Sequence, residues 1–288
     1  MSELKNFSVL TTIKKSALLN VYLVEIGEEK FVVKEILTSE ARQRMLRAQK
    51  LLDNITKSFP NFPCVRAEKL IDSPEKVVYI ERFINGNCLS EKTFCAKDIK
   101  IVCENLVNYL RLLRDIDVDR AHVDWKDFLA KYVATKTLPP SLFKVYEPTA
   151  LNRFLTYIQN FLDKIIFKKE THLVHNDLNA ENILVQQDLK ICVLDYEWWI
   201  IGDPLKDLSK MIWYFRRFPQ FGNIFLEIYR DAFGDFDENI LKFYFAVDIL
   251  NHLSQYEILI CSSTWKAYFK QELEIVCDIW REGFCLWH

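Results

Sequence analysis

Glycine is scarce in this chain, with six among 288 residues. Net charge is nearly absent as well, since 38 basic residues face 40 acidic ones and leave −2. That balance argues against nucleic acid as the main partner. No apolar run approaches the roughly 18 residues that a membrane span needs, so no membrane partner is expected. The eight cysteines show no CxxC pair and no zinc spacing, which excludes a zinc module and favours reduced thiols. No internal repeat or low-complexity segment stands out. The start, Met1-Ser2-Glu3-Leu4-Lys5-Asn6, lacks the basic-then-apolar order of a signal peptide, so a soluble cytoplasmic protein is expected.

Half the residues are hydrophobic and 14% are aromatic, enough for a sizeable core. A chain of this length can bury roughly 75% of its unfolded surface. The first 84 residues read as strands plus one helix. Asn20 to Ile26 and Lys30 to Ile36 are strand-like, joined by the turn Gly27-Glu28-Glu29. Thr38 or Ser39 is placed to cap a helix running to about Asn54. Val65 to Ile71 and Lys76 to Phe83 form two further strand patterns around Asp72-Ser73-Pro74-Glu75. From Lys97 the periodicity is helical, with Ile101, Leu106, Leu110 and Leu113 on one stripe.

The most specific run is Leu173-Val174-His175-Asn176-Asp177-Leu178-Asn179-Ala180-Glu181-Asn182-Ile183-Leu184, followed by Val193-Leu194-Asp195-Tyr196-Glu197. Moving a γ-phosphoryl group is mostly positioning and charge neutralisation, so a protein doing it must hold Mg²⁺ and orient one hydroxyl. Asp177 can accept the hydroxyl proton. Asn182 offers Mg²⁺ a neutral amide oxygen, and Asp195 a hard anionic one. Ile183 to Val185 and Lys190 to Leu194 read as strands around the turn Gln186-Gln187-Asp188-Leu189. Such a hairpin brings Asn182 close to Asp195.

These residues resemble the protein-kinase-like superfamily in its small-molecule branch: aminoglycoside phosphotransferases, choline kinases and thiamine kinases. His-Asn-Asp-Leu, Leu-Asp-Tyr-Glu, Gly202-Asp203-Pro204 and Asp207-Leu208 carry the likeness. The Asp-Phe-Gly and Ala-Pro-Glu of protein kinases are missing. The resemblance implies an α+β, two-lobed protein-kinase-like fold with a small β-rich N-lobe (residues 1–84) and a larger, mainly helical C-lobe (85–288). It implies ATP and Mg²⁺ as cofactors and a hydroxyl-bearing small molecule as acceptor. Lys34 in Phe31-Val32-Val33-Lys34-Glu35 looks like the nucleotide lysine. Glu81-Arg82-Phe83-Ile84-Asn85-Gly86 looks like the hinge whose backbone meets adenine, giving Glu81 and Phe83 as nucleotide contacts. His175 and Asp207 are implied to be structural, under and beside the catalytic loop.

Two departures from that pattern bear on function. Lys14-Lys15-Ser16-Ala17-Leu18-Leu19-Asn20 stands where the phosphate loop belongs and contains no glycine, which elsewhere lets backbone approach phosphate. Ser16 and Asn20 resemble the Ser-x-x-x-Asn variant of the small-molecule branch. The helix carboxylate that usually pairs with the lysine has no clear counterpart either. Glu40 is too near Lys34 in sequence, Gln49 and Asp53 lie at better distances, and the partner stays unassigned.

For the acceptor, Glu197 and Trp198 resemble the pair that holds a quaternary ammonium in choline kinases, a carboxylate beside a π face. Trp199, Trp213, Tyr214, Tyr256 and Trp265 are either further walls or core. A late helix from about Tyr244 to Ile258 carries Asp248, Asn251, His252 and Gln255 where choline kinases place tryptophans. That stripe suits amines and hydroxyls of an aminoglycoside, or plain solvent. A cationic acceptor is therefore expected, with Glu197, Trp198 and Asp248 against it. A protein-modifying kinase-like enzyme and a nucleotide-binding pseudokinase are the alternatives.

Overall fold

A computed structural model describes residues 8–16, 18–73, 77–91, 94–117, 124–165, 171–215 and 218–260, apart from the Trp213 side chain. In chain order the elements are β1 (Ser8–Lys15), β2 (Leu19–Ile26), β3 (Glu29–Ile36), α1 (Ser39–Ser58), β4 (Ala67–Asp72), β5 (Val77–Arg82), β6 (Asn87–Cys88) and α2 (Ala96–Asp115). There follow α3 (Trp125–Ala134), α4 (Leu142–Val145), α5 (Pro148–Lys164), β7 (His172–Val174), β8 (Ile183–Val185), β9 (Ile191–Val193) and β10 (Ile200–Gly202). The last four are α6 (Leu205–Phe215), α7 (Pro219–Phe233), α8 (Glu238–Ser254) and α9 (Tyr256–Leu259).

The chain divides into two units. One runs to Leu112 and takes back Asn179–Trp199; the other holds Leu113–Leu178 and continues from Ile200. This differs from a boundary after residue 84, for a physical reason. Within the first unit β6 pairs with β8, and β8 pairs with β9. Val193 then bonds backward, donating to the Pro63 carbonyl at 2.8 Å and accepting from the Val65 N–H at 3.2 Å. Hydrogen bonds thus tie the 183–193 hairpin to residues long before it in sequence.

The first unit is built on an antiparallel sheet in the order β1-β2-β3-β5-β4. β5 is its most buried strand: Val77, Val78, Tyr79 and Ile80 are inside on both faces, so the sequence reads as a continuous apolar run. β1 is exposed along its whole length, with two register irregularities against β2. It is an edge strand with no buried alternation and so carries no strand pattern in its sequence; Lys14 and Lys15, expected in the phosphate loop, are its last two residues. α1 begins where the Thr38 hydroxyl accepts the Ala41 N–H at 3.2 Å. It continues one turn past Asn54 because Leu51, Leu52 and Ile55 keep its apolar face buried. It stops at Phe59, before Pro60.

The second unit has a core of α3, α5 and α8, with Leu151, Phe154, Ile158, Phe243 and Leu250 at its centre. α8 is buried on nearly every side. The expected late helix starts earlier than Tyr244 and breaks at Gln255, after which α9 forms a single turn. Tyr256 is core, and Tyr214 is buried. Gly202, between β10 and α6, has a reason to be glycine: a Cβ there would meet the Trp125 ring at 2.5 Å. Among the described residues no helix is long and apolar enough to cross a membrane. The five described cysteines are free thiols, while Cys261, Cys277, Cys285 and Trp265 lie outside the described residues.

Candidate active site

In the first unit, Lys34 is the centre of the polar interior. Its Nζ lies 2.7 Å from Asp195 Oδ1 and 3.1 Å from Glu81 Oε1. Burial alone would lower the ammonium's pKa, but Asp195 and Glu81 outweigh it and raise it, so Lys34 stays charged. Glu81 is as buried as Lys34, and burial holds its carboxyl above the ordinary range while Lys34 pulls it back. The strand register explains the contact. Val32 pairs with Glu81 and Lys34 with Tyr79, so Lys34 and Glu81 are diagonal neighbours on one sheet face.

Asp195 begins a 3₁₀ turn over Tyr196–Trp198 and sits in the left-handed region at φ 57°. Tyr196 is buried, its hydroxyl sharing a 2.8 Å hydrogen bond with that of Tyr109. The turn anchored in this way carries Asp195 and Glu197 on either side of Tyr196. Burial first, then the neighbouring Asp195, push the Glu197 carboxyl up to about 6. Asn182 reaches the same place through the hairpin. Ile183 pairs with Val193, and the Leu194 N–H donates to the Asn182 carbonyl at 2.9 Å, one residue before Asp195.

The expected nucleotide contacts at the strand ends are engaged locally. Ser16 Oγ accepts the Leu18 and Leu19 N–H groups at 3.3 and 3.1 Å and donates to the Leu19 carbonyl at 2.9 Å. The hydroxyl closes the turn that glycine would otherwise make. Asn20 donates to its cross-strand partner Glu35 at 3.4 Å. The Phe83 N–H donates to the Lys30 carbonyl at 3.0 Å, extending the β3–β5 pairing, so that donor is not offered to adenine. Gln49 and Asp53, the helix candidates for the lysine, bond one another at 2.9 Å. Trp198 is partly exposed, and the Arg44 guanidinium stacks over its ring at 4.2 Å. Arg47 repeats the arrangement on Trp199 at 4.6 Å and donates to the Trp199 carbonyl at 2.8 Å.

In the second unit, Asp177 ends a loop held by Asp207. The Asp207 carboxylate accepts the His175 and Asn176 N–H groups, each at 2.8 Å. Asn176 occupies the left-handed region at φ 66°, and His175 is fully buried, its Nδ1 3.3 Å from the Asp177 nitrogen. Asp203 caps α6 by accepting the Leu205 N–H at 2.9 Å and also accepts the Tyr244 hydroxyl at 3.1 Å.

Asp248 is buried rather than open to an acceptor amine. Lys206 contacts its Oδ1 directly, Lys210 lies 3.3 Å from the same oxygen, and the Ser209 hydroxyl donates to Oδ2 at 3.2 Å. Burial would raise its carboxyl, but the two lysines overcome that and lower it. Asn251 accepts from Lys136 Nζ at 2.7 Å. Sequence reasoning missed these lysines. Their signal was the i,i+4 spacing of Lys206 and Lys210 on one face of a helix, with Ser209 beside them.

Among the described residues no group of three or more His, Cys, Asp or Glu converges on a metal position. The pair that the hairpin joins, one carboxylate and one amide oxygen, nevertheless fits Mg²⁺. That ion keeps waters and takes its other ligands from substrate phosphates.

The sequence model of the phosphotransferase enzyme family (APH) matches residues 9–244. No curated protein matches the chain. Among solved structures, a thermostable mutant of aminoglycoside phosphotransferase APH(4)-Ia, in ternary complex with ADP and hygromycin B, is similar with TM-score 0.73 and 13% identity. That match covers 98% of this chain and 97% of the other. The amicoumacin kinase hAmiN, with AMP-PNP, Ca²⁺ and Ami, matches at TM-score 0.66 and 14% identity, covering 98% and 91%. The aminoglycoside phosphotransferase APH(3'')-Id from Streptomyces rimosus, with ADP and streptomycin, matches at 0.60 and 16%, covering 80% and 90%. At these identities the likeness shows the fold, which is the two-lobed α+β fold of kinases.

Proposed function

The chain belongs to the phosphotransferase enzyme family, and we propose that it transfers the γ-phosphoryl group of ATP, with Mg²⁺, to a hydroxyl of a small, hydroxyl-rich acceptor. As a member of that family it is a small-molecule phosphotransferase of the protein-kinase-like superfamily. The ATP and Mg²⁺ requirement, the residue roles and the acceptor class are the proposal. The observation that carries it is the half-buried contact of Lys34 with Asp195, beside Asn182, in one unit.

Asp195 and Asn182 would hold Mg²⁺, which would supply neutralisation of the phosphate charge. Lys34 turns from Asp195 to the α- and β-phosphates, with Glu81 still at its side. Asp177 orients the acceptor hydroxyl and takes its proton. Asp207 serves this step by fixing the loop backbone, and His175 by filling the space beneath it. Ser16 would act on the nucleotide through the turn it closes, and Asn20 from the strand that follows it. The hinge would meet adenine through groups other than the Phe83 N–H.

The acceptor reading follows from what the expected acceptor residues already bind. A quaternary ammonium needs a free π face, yet one face of Trp198 carries Arg44. An amine needs an unanswered carboxylate, yet Asp248 has two lysines. Glu197 is the one residue of the three with attraction to spare for a cationic group. The choline-like option therefore loses most of its cage, and an acceptor rich in hydroxyls, of the kind named for the similar antibiotic kinases, is favoured.

ADP release across a panel of aminoglycosides, amino sugars, amino alcohols and thiamine tests the reading. Acceptor-stimulated ADP release, lost in Asp177→Asn, is expected. Choline or thiamine as best acceptor would refute the acceptor class, and no stimulated release by any hydroxylated compound would refute the activity.

A further inference from the structure

We propose that Glu81 is the positioning residue of the nucleotide lysine, set on strand β5 in the role that the family resemblance gives to a helix carboxylate. The inference rests on the kinase reading of Lys34.

The carboxylates of α1 are both committed elsewhere. Glu40, in the first turn, pairs with Arg44 at 2.5 Å. Asp53 accepts from Gln49 at 2.9 Å and lies 3.7 Å from Arg66. The Gln49 side-chain Oε1 accepts the Ala67 N–H at 3.1 Å. Lys34 meets Glu81 and Asp195 instead.

These two carboxylates differ in what they can do during turnover. Asp195 is the anionic ligand of the proposed metal pair and is partly exposed, with its side chain 39% accessible. Its charge must be free for metal when nucleotide loads. Glu81 is 10% accessible at the side chain and faces no metal-ligand role. It is the carboxylate that stays with Lys34 when the ammonium leaves Asp195. Lys34 and Glu81 are also a diagonal pair on adjacent antiparallel strands, within reach of long side chains. The sheet fixes both backbones through continuous pairing from Phe31–Arg82 to Ile36–Val77.

The other task of a helix carboxylate is to hold the helix against the catalytic elements. Here two arginine–tryptophan stacks connect α1 to the turn after Asp195. Lysine placement and helix docking, which one ion pair would combine, are separated.

The test is kinetic, on the full chain with Mg²⁺. Glu81→Gln keeps the shape and removes the charge. The expected result is a loss of about 10²-fold in kcat/KM for ATP, the scale of a misplaced reacting group, with KM for the acceptor within threefold. In a Lys34→Met background the same change should add less than threefold, because the two residues act as one unit. Asp53→Asn should leave KM for ATP unchanged. Should Glu81→Gln not fold, Glu81→Asp withdraws the carboxylate by one methylene and should lower affinity for a fluorescent ATP analogue. Unchanged ATP kinetics or affinity in the Glu81 variants would overturn the inference, as would additive losses with Lys34→Met. Loss of ATP affinity in Asp53→Asn would return the role to α1. A wild-type chain that binds no ATP would remove the kinase reading, and this inference with it.

Discussion

Glu197 holds the most telling balance between stability and function in the first unit. Its ordinary value is 4.5, and burial with the neighbouring Asp195 raises it to about 6. An acid whose folded pKa lies above its unfolded one binds its proton more tightly when folded. Ionising it therefore costs stability, little below pH 4.5 and in full above pH 6. The interval corresponds to about 2 kcal/mol at pH 8 and to about 1 kcal/mol or less at pH 5. Glu197→Gln removes the charge and keeps the shape. For a chain of this length the variant should melt about 3 °C higher than wild type at pH 8 and about 1 °C higher at pH 5. Thermal unfolding without nucleotide or Mg²⁺, at the two pH values, reads this directly. A variant equally stabilised at both, or destabilised at pH 8, would refute the reasoning. The same variant should be a poorer enzyme: removing the charge should raise KM for a cationic acceptor more than KM for ATP. A residue that destabilises the fold where it serves the site is a common pattern in enzymes.

Asp177→Asn should lower kcat by about 10²–10⁴-fold with little change in ATP affinity, checked by steady-state kinetics and nucleotide titration. Asp248→Asn leaves Lys206 and Lys210 without their carboxylate in a buried place and should destabilise by about 3–5 kcal/mol in urea unfolding. Gly202→Ala sets a methyl against the Trp125 ring and should cost about 1–3 kcal/mol in the same assay.

The parts of the site legible in the sequence are those set by local spacing. Asn182 and Asp195 flank two short apolar strands and a turn, and the hairpin register alone brings them together. Lys34 was readable as a strand lysine between apolar neighbours, and α1 as a capped amphipathic helix. The pairing of Lys34 with Glu81 was not readable, because it depends on β5 inserting beside β3, ahead of β4 in the sheet order. Glu81 had a hinge-like context that drew attention to its backbone rather than its carboxylate. Asp248 misled for a similar reason: a polar stripe on a helix looks the same in sequence whether it meets solvent or buried lysines. The Arg44–Trp198 stack hid the Trp198 face in the same way.

The scarcity of glycine connects these observations. Among the described residues, three positions with a left-handed backbone are filled by residues other than glycine: Asn176 at φ 66°, Leu189 at φ 63° and Asp195 at φ 57°. Such a conformation costs a non-glycine residue roughly 1–2 kcal/mol, less for Asn and Asp. Leu189 closes the hairpin that aligns Asn182 with Asp195. Asn176 immediately precedes Asp177, and Asp195 is itself the proposed metal ligand. Glycine would relieve the strain at each but would free the backbone where the chemistry needs it fixed. At Asn176 the surroundings impose the conformation through Asp207, which accepts the successive His175 and Asn176 N–H groups. At Asp195 the buried Tyr196–Tyr109 contact and the Lys34 ion pair do so from either end. Strain over-determined by neighbours in this way is what a preorganised site requires. In the glycine-free Lys14–Asn20 segment the Ser16 hydroxyl supplies by hydrogen bonding to Leu19 a closure that glycine elsewhere supplies by conformational freedom.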